Sequence, residues 1–450
     1  MNKTKTHETL SGFYHRKLAA HYNRKISPGA SVLEIGCGNG ALLKHLAGIR
    51  TGIERETNLA AKAWELGLNV VCGDATNPEL LKGETFDVII LSDTVGGCGD
   101  VQVLLEAACR FAHAGTRLIL NTYNTLWRPV ISAGCALGIT DRPGKNWLSQ
   151  KDIQNLLELS GWEPFLKEGI LILPAPVPVV AELANRWLAP WVPFLTLALF
   201  VTCRKPAARK ADKISVVIPT RNEAGTVHEA LERMPSFGRE AEIIFVEGNS
   251  TDNTWDVIEK LPETHKEGKI LKARQDGKGK GDAVRKGFSM ATGDILMILD
   301  GDLTMPPEDL PKYVAAMESG KTELANGCRL VYDMEQNAMQ FANLIANKCF
   351  GIAFSWLLGQ PIKDTLCGTK ALWKEDYGRI VENRAYFGDF DPFGDFDILF
   401  GAAKQNLKIR DIPIHYKERK YGSTNIQRWR HGVILLKMML FAARKLKFAK

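Results

Sequence analysis

The chain has 450 residues, of which 45% are hydrophobic and 24% are charged. These fractions allow packed cores, and the length exceeds what one core usually organises, so two domains of ordinary size are expected. The net charge of +7 is too small to indicate nucleic-acid binding by itself. The nine cysteines form no CxxC pair, which is typical of reduced thiols in a cytoplasmic protein.

Short apolar runs alternate with helical patterns in the first 203 residues, for example SVLEIG before ALLKHLAG and DVIILSD before VQVLLEAACRFA. This alternation predicts a parallel sheet with helices on both faces. Ser149 and Asp152 predict a capping box that opens a helix over 150–157. The polar start MNKTKTHETL predicts no signal peptide. The apolar run 187–203 contains two prolines, so we expect a loop and then a strand over Phe194–Cys203, and no membrane span.

A glycine-rich turn follows the first predicted strand. Gly36, Gly38 and Gly40 come after SVLEI and before a helical pattern. Glycines let the backbone approach a ligand closely, and doubly wound sheets bind ligands at the end of the first strand. Acidic residues mark this turn and the ends of the next strands. They are Glu34, Glu54, Asp74 and Asp93.

This series resembles the class I S-adenosylmethionine-dependent methyltransferases over roughly residues 10–203. The resemblance implies a doubly wound, Rossmann-like fold, with 194–203 as the final antiparallel strand. A NAD-binding domain is the competing interpretation, which the acid before the glycines disfavours; solvated strand ends are the simpler one. Asn121, Tyr123, Asn124 and Trp127 follow the fifth strand and are candidates for an acceptor pocket. The resemblance implies that S-adenosylmethionine is bound by Glu34, Gly36, Gly38, Gly40, Glu54, Asp74 and Asp93.

Residues 204–213, RKPAARKADK, are charged, rich in alanine and interrupted by a proline, which predicts a linker after a first domain over 1–203. The alternation then restarts with KISVVIPTRN and continues to DILMILDGD. We therefore predict a second α/β domain over 214–427.

Asp300 and Asp302 follow the apolar run ILMIL, with one glycine between them. Side chains at i and i+2 of an extended segment point the same way, so the two carboxylates repel each other unless a cation lies between them. Mg²⁺ and Mn²⁺ typically bind through one or two carboxylates and substrate phosphates. The pair predicts a metal site at the carboxyl edge of a sheet, and an ordinary Asp-Gly-Asp turn is the simpler alternative.

Three further polar segments follow strands or enter a helix in this half: PTRNE at 219–223, EGNSTDNT at 247–254 and the glycine-lysine loop GKGKGDAVR at 277–285. The loop is suited to phosphate binding. With the Asp-x-Asp pair, these segments resemble the family 2 glycosyltransferases, which implies a GT-A fold and a nucleotide-diphosphate sugar as donor. The resemblance implies donor contacts from Pro219, Thr220, Asn222, Glu223, Glu247, Ser250, Asp252 and Lys280.

Later segments are similar to the polyprenyl-phosphate sugar transferases, such as the dolichyl-phosphate mannose and glucose synthases. They are GCR at 327–329, DTLCGTK at 364–370, GDFD at 394–397 and PIHYKERKYGST at 413–424. The resemblance implies that Arg329 and Arg419 hold phosphates. The sequence departs from the pattern, for example at Thr304, where the mannose enzymes have glutamine. A glycan hydroxyl therefore stays open as the acceptor, and it would need a general base, for which Asp364 and Asp395 are the candidates.

Residues 428–450 are apolar on one side and basic at both ends, which predicts an amphipathic helix on a membrane surface. We expect a bifunctional enzyme on the cytoplasmic face of the cell membrane. Its inverting, metal-dependent glycosyltransferase and its methyltransferase would serve one envelope glycan pathway. Two alternatives stay open: a degenerate, scaffolding methyltransferase domain, and a non-catalytic ligand-binding or assembly module.

Overall fold

The computed structural model of the protein describes residues 3–140, 144–266, 268–332, 341–386, 394–419, 421 and 428–448. The chain divides into two compact units: the first contains residues 1–206 with 447–450, and the second contains residues 207–446. Each unit has a mixed sheet, of seven and eight strands respectively. All nine cysteines lie within the described residues, and all are free thiols.

The first unit has a sheet of strand order β3-β2-β1-β4-β5-β7-β6, in which only β7 runs antiparallel to its neighbours. The strands are β1 (Ser31–Ile35), β2 (Ile49–Glu54), β3 (Val70–Cys72), β4 (Phe86–Ser92), β5 (Ala112–Tyr123), β6 (Glu163–Ile170) and β7 (Ala198–Arg204). The helices are α1 (Lys3–Asn23), α2 (Thr57–Glu65), α3 (Thr94–Gly97), α4 (Val101–Ala108), α5 (Arg128–Ala136), α6 (Gln150–Leu159) and α7 (Val180–Glu182), which a π-helix continues over Leu183–Leu188.

Both faces of this sheet are covered, as the alternation of apolar runs predicts. Successive residues of β1 point to opposite faces, so Val32 packs in one apolar cluster with Leu18 of α1. Leu33 packs in the other cluster with Leu105 of α4 and Leu157 of α6. The doubly wound fold and the final antiparallel strand are confirmed. The strand begins at Ala198 rather than Phe194 because Pro193–Leu195 form a short 3₁₀ turn.

The second unit has the strand order β10-β11-β9-β8-β12-β14-β13-β15. The strand β14 is antiparallel to both neighbours, and β10 is antiparallel to β11. The strands are β8 (Lys213–Thr220), β9 (Glu240–Glu247), β10 (Thr264–His265), β11 (Gly268–Arg274), β12 (Ile295–Ile298), β13 (Leu324–Cys328), β14 (Lys370–Trp373) and β15 (Ile409–Pro413). The helices are α8 (Val227–Glu232), α9 (Thr254–Glu259), α10 (Lys280–Met290), α11 (Leu310–Glu318), α12 (Phe341–Leu358), α13 (Lys374–Glu382), α14 (Asp395–Lys404) and α15 (Arg428–Leu446).

The core of the second unit lies along the central strands, where Val216, Phe245 and Met297 are fully buried. The helix α10 packs directly on β8, since a Cβ at Gly287 would overlap the Val217 side chain. This close packing fixes Lys280, the first residue of α10, next to the carboxyl edge of the sheet.

The second half of the predicted linker packs as part of the second unit. The amides of Arg209 and Ala211 donate to Glu318, at N···O distances of 3.0 and 2.8 Å. Arg209 also stacks on Trp373, and Ala211 is buried.

Candidate active sites

The glycine turn of the first unit has the backbone conformation that favours glycine. Gly36, Gly38 and Gly40 all have positive φ, at 76°, 56° and 74°. A Cβ on Gly36 would lie 2.7 Å from Thr94, whereas one on Gly38 would meet nothing within 4 Å. The backbone at Gly38 is therefore open to a close ligand.

Glu34 is the buried acid beside this turn. Its Oε2 is buried and has no hydrogen-bond partner among the residues that the structure describes. Burial and repulsion from Glu54 and Asp93 raise its pKa well above the usual range. An orphaned buried carboxylate oxygen fits a cationic group, such as the ammonium of the amino-acid part of S-adenosylmethionine. The residues present thus fit this cofactor.

Glu54 and Asp74, two more of the predicted acids, have different surroundings. Glu54 is buried and accepts hydrogen bonds from the backbone amides of Gly38 and Glu56, at 2.7 and 2.8 Å, so it braces the glycine turn. Asp74 is exposed, and hydrogen bonds from the amide and hydroxyl of Thr76 lower its pKa. The structure brings Glu34, Glu54 and Asp93 together, while Asp74 lies at the outer end of the same edge.

Asp93 follows β4 and lines a cavity that adjoins the glycine turn. Its carboxylate accepts hydrogen bonds from the hydroxyl of Tyr14 at 2.9 Å and from the side-chain amide of Asn121 at 2.7 Å. The cavity is open to solvent, and the empty space in and in front of it is about 380 Å³. The remaining lining residues are Val95, Gly96, Thr122, Tyr123, Gly144, Asn146, Trp147 and Leu148.

Of the four predicted pocket residues, Tyr123 lines this cavity and Asn121 orients Asp93. Asn124 and Trp127 instead donate to the backbone oxygens of residues 194–196, so they hold the segment before β7. Tyr14 is a site residue that was not predicted, although it lies on one face of α1 with Leu18 and Tyr22 at spacings of four.

In the second unit, Asp300 and Asp302 lie just beyond the end of β12. The Nζ of Lys280 lies 2.6 Å from Asp300, while Arg419 forms an ion pair with Asp302. Burial raises the pKa of Asp300, but Lys280, with smaller contributions from Lys370 and Arg329, more than offsets this, so the pKa lies below its ordinary value. The repulsion between the two carboxylates is therefore balanced by two separate cations.

A divalent metal at this pair fits the residues present. Within the described ranges, no group of three or more His, Cys, Asp or Glu residues has the geometry of a metal site. Mg²⁺ and Mn²⁺ need only one or two carboxylates when substrate phosphates complete the coordination. Asp300 and Asp302 supply those two hard oxygen ligands.

Glu223 packs against the turn that carries the two aspartates. A Cβ on Gly301 would overlap the carboxylate of Glu223. The nearest nitrogen of Arg419 lies 3.8 Å from Oε1 of Glu223. Burial and the nearby Asp302 raise its pKa to about 8. Glu223 thus faces the aspartate pair, at the sheet edge where the resemblance implies that the donor binds.

The other predicted donor residues bind two neighbouring turns to each other. Asn222 accepts a hydrogen bond from the amide of Thr251 at 2.8 Å, and its own amide donates to Ser250 at 3.1 Å. The buried Glu247 accepts from the amide of Ser250, and Asp252 accepts from that of Thr254. Pro219 and Thr220 end β8 beside them. The structure brings these residues to the same sheet edge as the aspartate pair.

Arg329 and Asp364 form a buried, bidentate ion pair, with N···O distances of 2.7 and 2.8 Å. Asp364 also accepts a hydrogen bond from Asn347 at 2.9 Å. Although burial opposes ionisation, these partners lower the pKa of Asp364 to about 2. This geometry argues against Asp364 as a general base. Asp395 begins α14, and its side chain lies outside the described part of the chain.

Lys370 is a functional candidate for which the sequence predicts no role. It is fully buried at the start of β14 and donates to the carbonyl of Cys367 at 2.5 Å. Its charge contributes to lowering the pKa of Asp300. A lysine inside an otherwise apolar strand was the available signal.

Comparison with known proteins agrees with this division. Residues 215–379 match the family model "Glycosyl transferase family 2", and residues 16–154 match "Methionine biosynthesis protein MetW". A dolichol-phosphate mannosyltransferase of Pyrococcus furiosus is 32% identical over 48% of this chain and 59% of its own length. Glycosyltransferase AglJ of Haloferax volcanii is 28% identical over 50% of this chain and 70% of its own length.

Solved structures give more distant similarities. A methyltransferase of Thermotoga maritima, titled a possible histamine N-methyltransferase, has a TM-score of 0.36 and 21% identity, covering 45% of this chain and 95% of that one. Glucosyl-3-phosphoglycerate synthase of Mycobacterium tuberculosis, solved with Mn²⁺ and UDP, has a TM-score of 0.37 and 16% identity, covering 53% and 81%. Residues 215–379 are thus similar to the glycosyl transferase family 2 domains, and residues 16–154 are similar to the MetW proteins.

Proposed function

We propose that the second unit moves a sugar from a nucleotide-diphosphate sugar to a polyprenyl phosphate, with Mg²⁺ or Mn²⁺ and with inversion at the anomeric carbon. The observation that carries this proposal is the pairing of Asp300 with Lys280 and of Asp302 with Arg419 at one sheet edge. Two carboxylates for a metal and two cations for phosphates are what a diphosphate leaving group requires. The similarity to the Pyrococcus furiosus mannosyltransferase supports the acceptor class.

In this mechanism the protein chiefly holds charge. Lys280 opens α10 and is placed to hold a phosphate of the donor, while Arg419 would release Asp302 as a phosphate arrives. A bound metal would stabilise the negative charge on the departing nucleoside diphosphate. A phosphate acceptor is already anionic and attacks without a general base, which agrees with the low pKa of Asp364.

A glycan hydroxyl is the second acceptor class, because the side chain of Asp395 is the remaining predicted base. A hydroxyl acceptor would need that carboxylate within hydrogen-bond reach. The transfer assay below separates the two classes directly.

We further propose that the first unit binds S-adenosylmethionine through Gly38 and Glu34 and methylates a component of the same envelope glycan pathway. The open backbone at Gly38 and the orphaned oxygen of Glu34 support the cofactor. The pathway link rests on the joining of the two domains in one chain.

A peripheral position on the inner face of the cell membrane is also proposed. No helix in the described ranges is both long and apolar enough to cross a bilayer. The helix α15 packs one side inward through Met438 and Ala442, and it exposes Val433, Leu436 and Leu440. In the first unit, the segment before β7 exposes Val179, Leu183, Trp187, Trp191 and Phe194. Aromatic and aliphatic side chains of this kind bind at lipid interfaces.

The test is sugar transfer with Mn²⁺, using GDP-mannose or UDP-glucose as donor and undecaprenyl phosphate in detergent or a methyl glycoside as acceptor. We expect a lipid product with the wild type and at least a hundredfold loss in Asp302→Asn. The matched control is Asp256→Asn, an exposed position on α9. A glycoside product would move the acceptor to a hydroxyl, and the absence of donor turnover would favour the binding-module alternative.

Membrane association has its own measurement, which is sedimentation of the full chain with vesicles containing anionic lipid. Leu436→Ser with Leu440→Ser should reduce the bound fraction. Sedimentation of the variant equal to that of the wild type would contradict a position of α15 on the membrane surface.

A further inference from the structure

The cavity beside Asp93 is separate from the glycine turn but adjoins it. None of the turn's glycines lines it. The hydroxyl of Thr94 donates to the carbonyl of Ile35 at 2.9 Å, and the Thr94 side chain lies against Gly36. Thr94 and Asp93 therefore lie between the glycine turn and the cavity, so a molecule in the cavity would be next to the proposed cofactor site.

Asp93 is held in one orientation by a chain of hydrogen bonds. The side-chain oxygen of Asn121 accepts from the hydroxyls of Tyr22 and Ser92, at 2.6 and 3.0 Å. This leaves the amide nitrogen of Asn121 to donate to Asp93. Asp93 itself has a positive φ of 54°, a conformation uncommon outside glycine, asparagine and aspartate. Strained and preorganised acids of this kind are frequent at functional sites.

The surroundings of Asp93 favour a carboxyl that gains and loses a proton near neutrality. Burial raises its pKa to about 7, although Tyr14 and Asn121 donate hydrogen bonds that lower it. The ionisable groups that face it are Tyr14 and Tyr22 of α1 and Glu34 of β1. Burial raises the pKa of both tyrosines well above 10, so they remain neutral donors.

We propose that this cavity binds the methyl acceptor, that the acceptor is a carbohydrate hydroxyl, and that Asp93 is the catalytic base. The inference rests on the proposed methyltransferase function. The hydroxyl gives its proton to the Asp93 carboxylate as its oxygen bonds to the methyl carbon. The bond from that carbon to sulfur breaks, and its electron pair stays on sulfur as a neutral thioether. Tyr123 and Trp147 line the cavity and are the aromatic side chains that would pack against the apolar side of a sugar ring.

The proposed base, Asp93, indicates the chemical class of the acceptor, which is a hydroxyl. An alcohol is a weak nucleophile until its proton is removed, and a positioned base contributes typically 10²–10⁴-fold to such a step. A neutral amine already has a free lone pair and does not depend on a buried carboxylate in the same way.

The first experiment separates a base from a cofactor ligand. We would titrate S-adenosylhomocysteine, which binds without reacting, into the full chain by calorimetry. Asp93→Asn should change the Kd less than threefold, whereas Glu34→Gln should weaken binding about tenfold, the loss expected for one charge-assisted bond. An equal loss in both variants would make Asp93 a cofactor ligand and overturn the proposal. No binding by the wild type would overturn the methyltransferase function together with it.

The second experiment observes the proton directly. The ¹³C carboxyl resonance that Asp93→Asn removes should titrate near pH 7 in the wild type. Its midpoint should rise in Tyr14→Phe, because the lost hydrogen bond stabilises the charged form. A midpoint below pH 5 would overturn the base assignment.

The third experiment concerns the acceptor class. Methyl α-D-glucopyranoside and methyl α-D-mannopyranoside, observed by ligand NMR with S-adenosylhomocysteine present, should bind to the wild type at millimolar concentration. They should lose this binding in Trp147→Ala. Binding that is absent in the wild type, or unchanged in the variant, would overturn the carbohydrate assignment.

Discussion

Replacing Asp364 with asparagine tests how the second unit stabilises a buried charge. The side chain is fully buried and accepts five hydrogen bonds: two from the guanidinium of Arg329, one from its amide, one from Asn347 and one from the amide of Leu366. Asparagine has nearly the same shape, but its neutral amide cannot balance the guanidinium. The substitution therefore removes the charge and leaves the packing.

The expected loss follows from the pKa. A fall from the ordinary 3.8 to about 2 corresponds to roughly 2.5 kcal/mol, at 1.36 kcal/mol per unit. Because the folded pKa lies below the unfolded one, this stability is present above about pH 4 and disappears as the pH falls through about 2. At pH 3 roughly 1.3 kcal/mol should remain. Asp364→Ala should cost more, about 3–5 kcal/mol, because it leaves a cavity and an unpaired cation.

The assay is urea unfolding of the full chain, followed by circular dichroism at pH 7 and pH 3. Glu375→Gln is the control, since Glu375 pairs with Arg209 but is 60% exposed, and an exposed pair contributes about 0–1 kcal/mol. A loss at pH 7 in Asp364→Asn no larger than in the control would refute the reasoning. So would a loss at pH 3 as large as the loss at pH 7.

Three further outcomes are expected. Gly368→Ala places a Cβ on the Lys280–Asp300 ion pair, so sugar transfer should fall at least tenfold, while an unchanged kcat would contradict a role for that pair. Gly38→Ala should leave the fold intact at a cost of about 1 kcal/mol for its positive φ, yet weaken S-adenosylhomocysteine binding measured by calorimetry. Burial lowers the pKa of His21 to about 4, so its neutral form is favoured in the fold. The first unit should lose about 2 kcal/mol between pH 7 and pH 5 in urea unfolding, and His21→Phe should remove that dependence.

The sequence predicts the features that depend on local pattern. Alternating apolar runs predict both α/β units, and the glycines after β1 and the aspartates after β12 are in turns at the ends of strands. The capping box of Ser149 and Asp152 is confirmed, and its helix extends two residues further, to Leu159. Each of these depends on neighbours within a few residues.

Features that depend on distant partners could not be predicted. Arg419 lies 117 residues from Asp302, and Tyr14 lies 79 residues from Asp93. A motif indicates that a carboxylate is present, but its pKa depends on burial and on the cation that the fold brings to it. For this reason Asp364 is a reasonable base in the sequence and a poor one in the structure.

The orphaned oxygen of Glu34 has a consequence for binding, because it links the binding of a cationic ligand to the loss of a proton. Because burial and two neighbouring acids disfavour its ionised form, the free first unit holds a proton there that a cationic ligand would displace. Association would then release a proton to the buffer, and the apparent affinity would increase with pH. The enthalpy of association would also vary with the ionisation enthalpy of the buffer. The same acid would therefore make the affinity for a cationic ligand depend on pH.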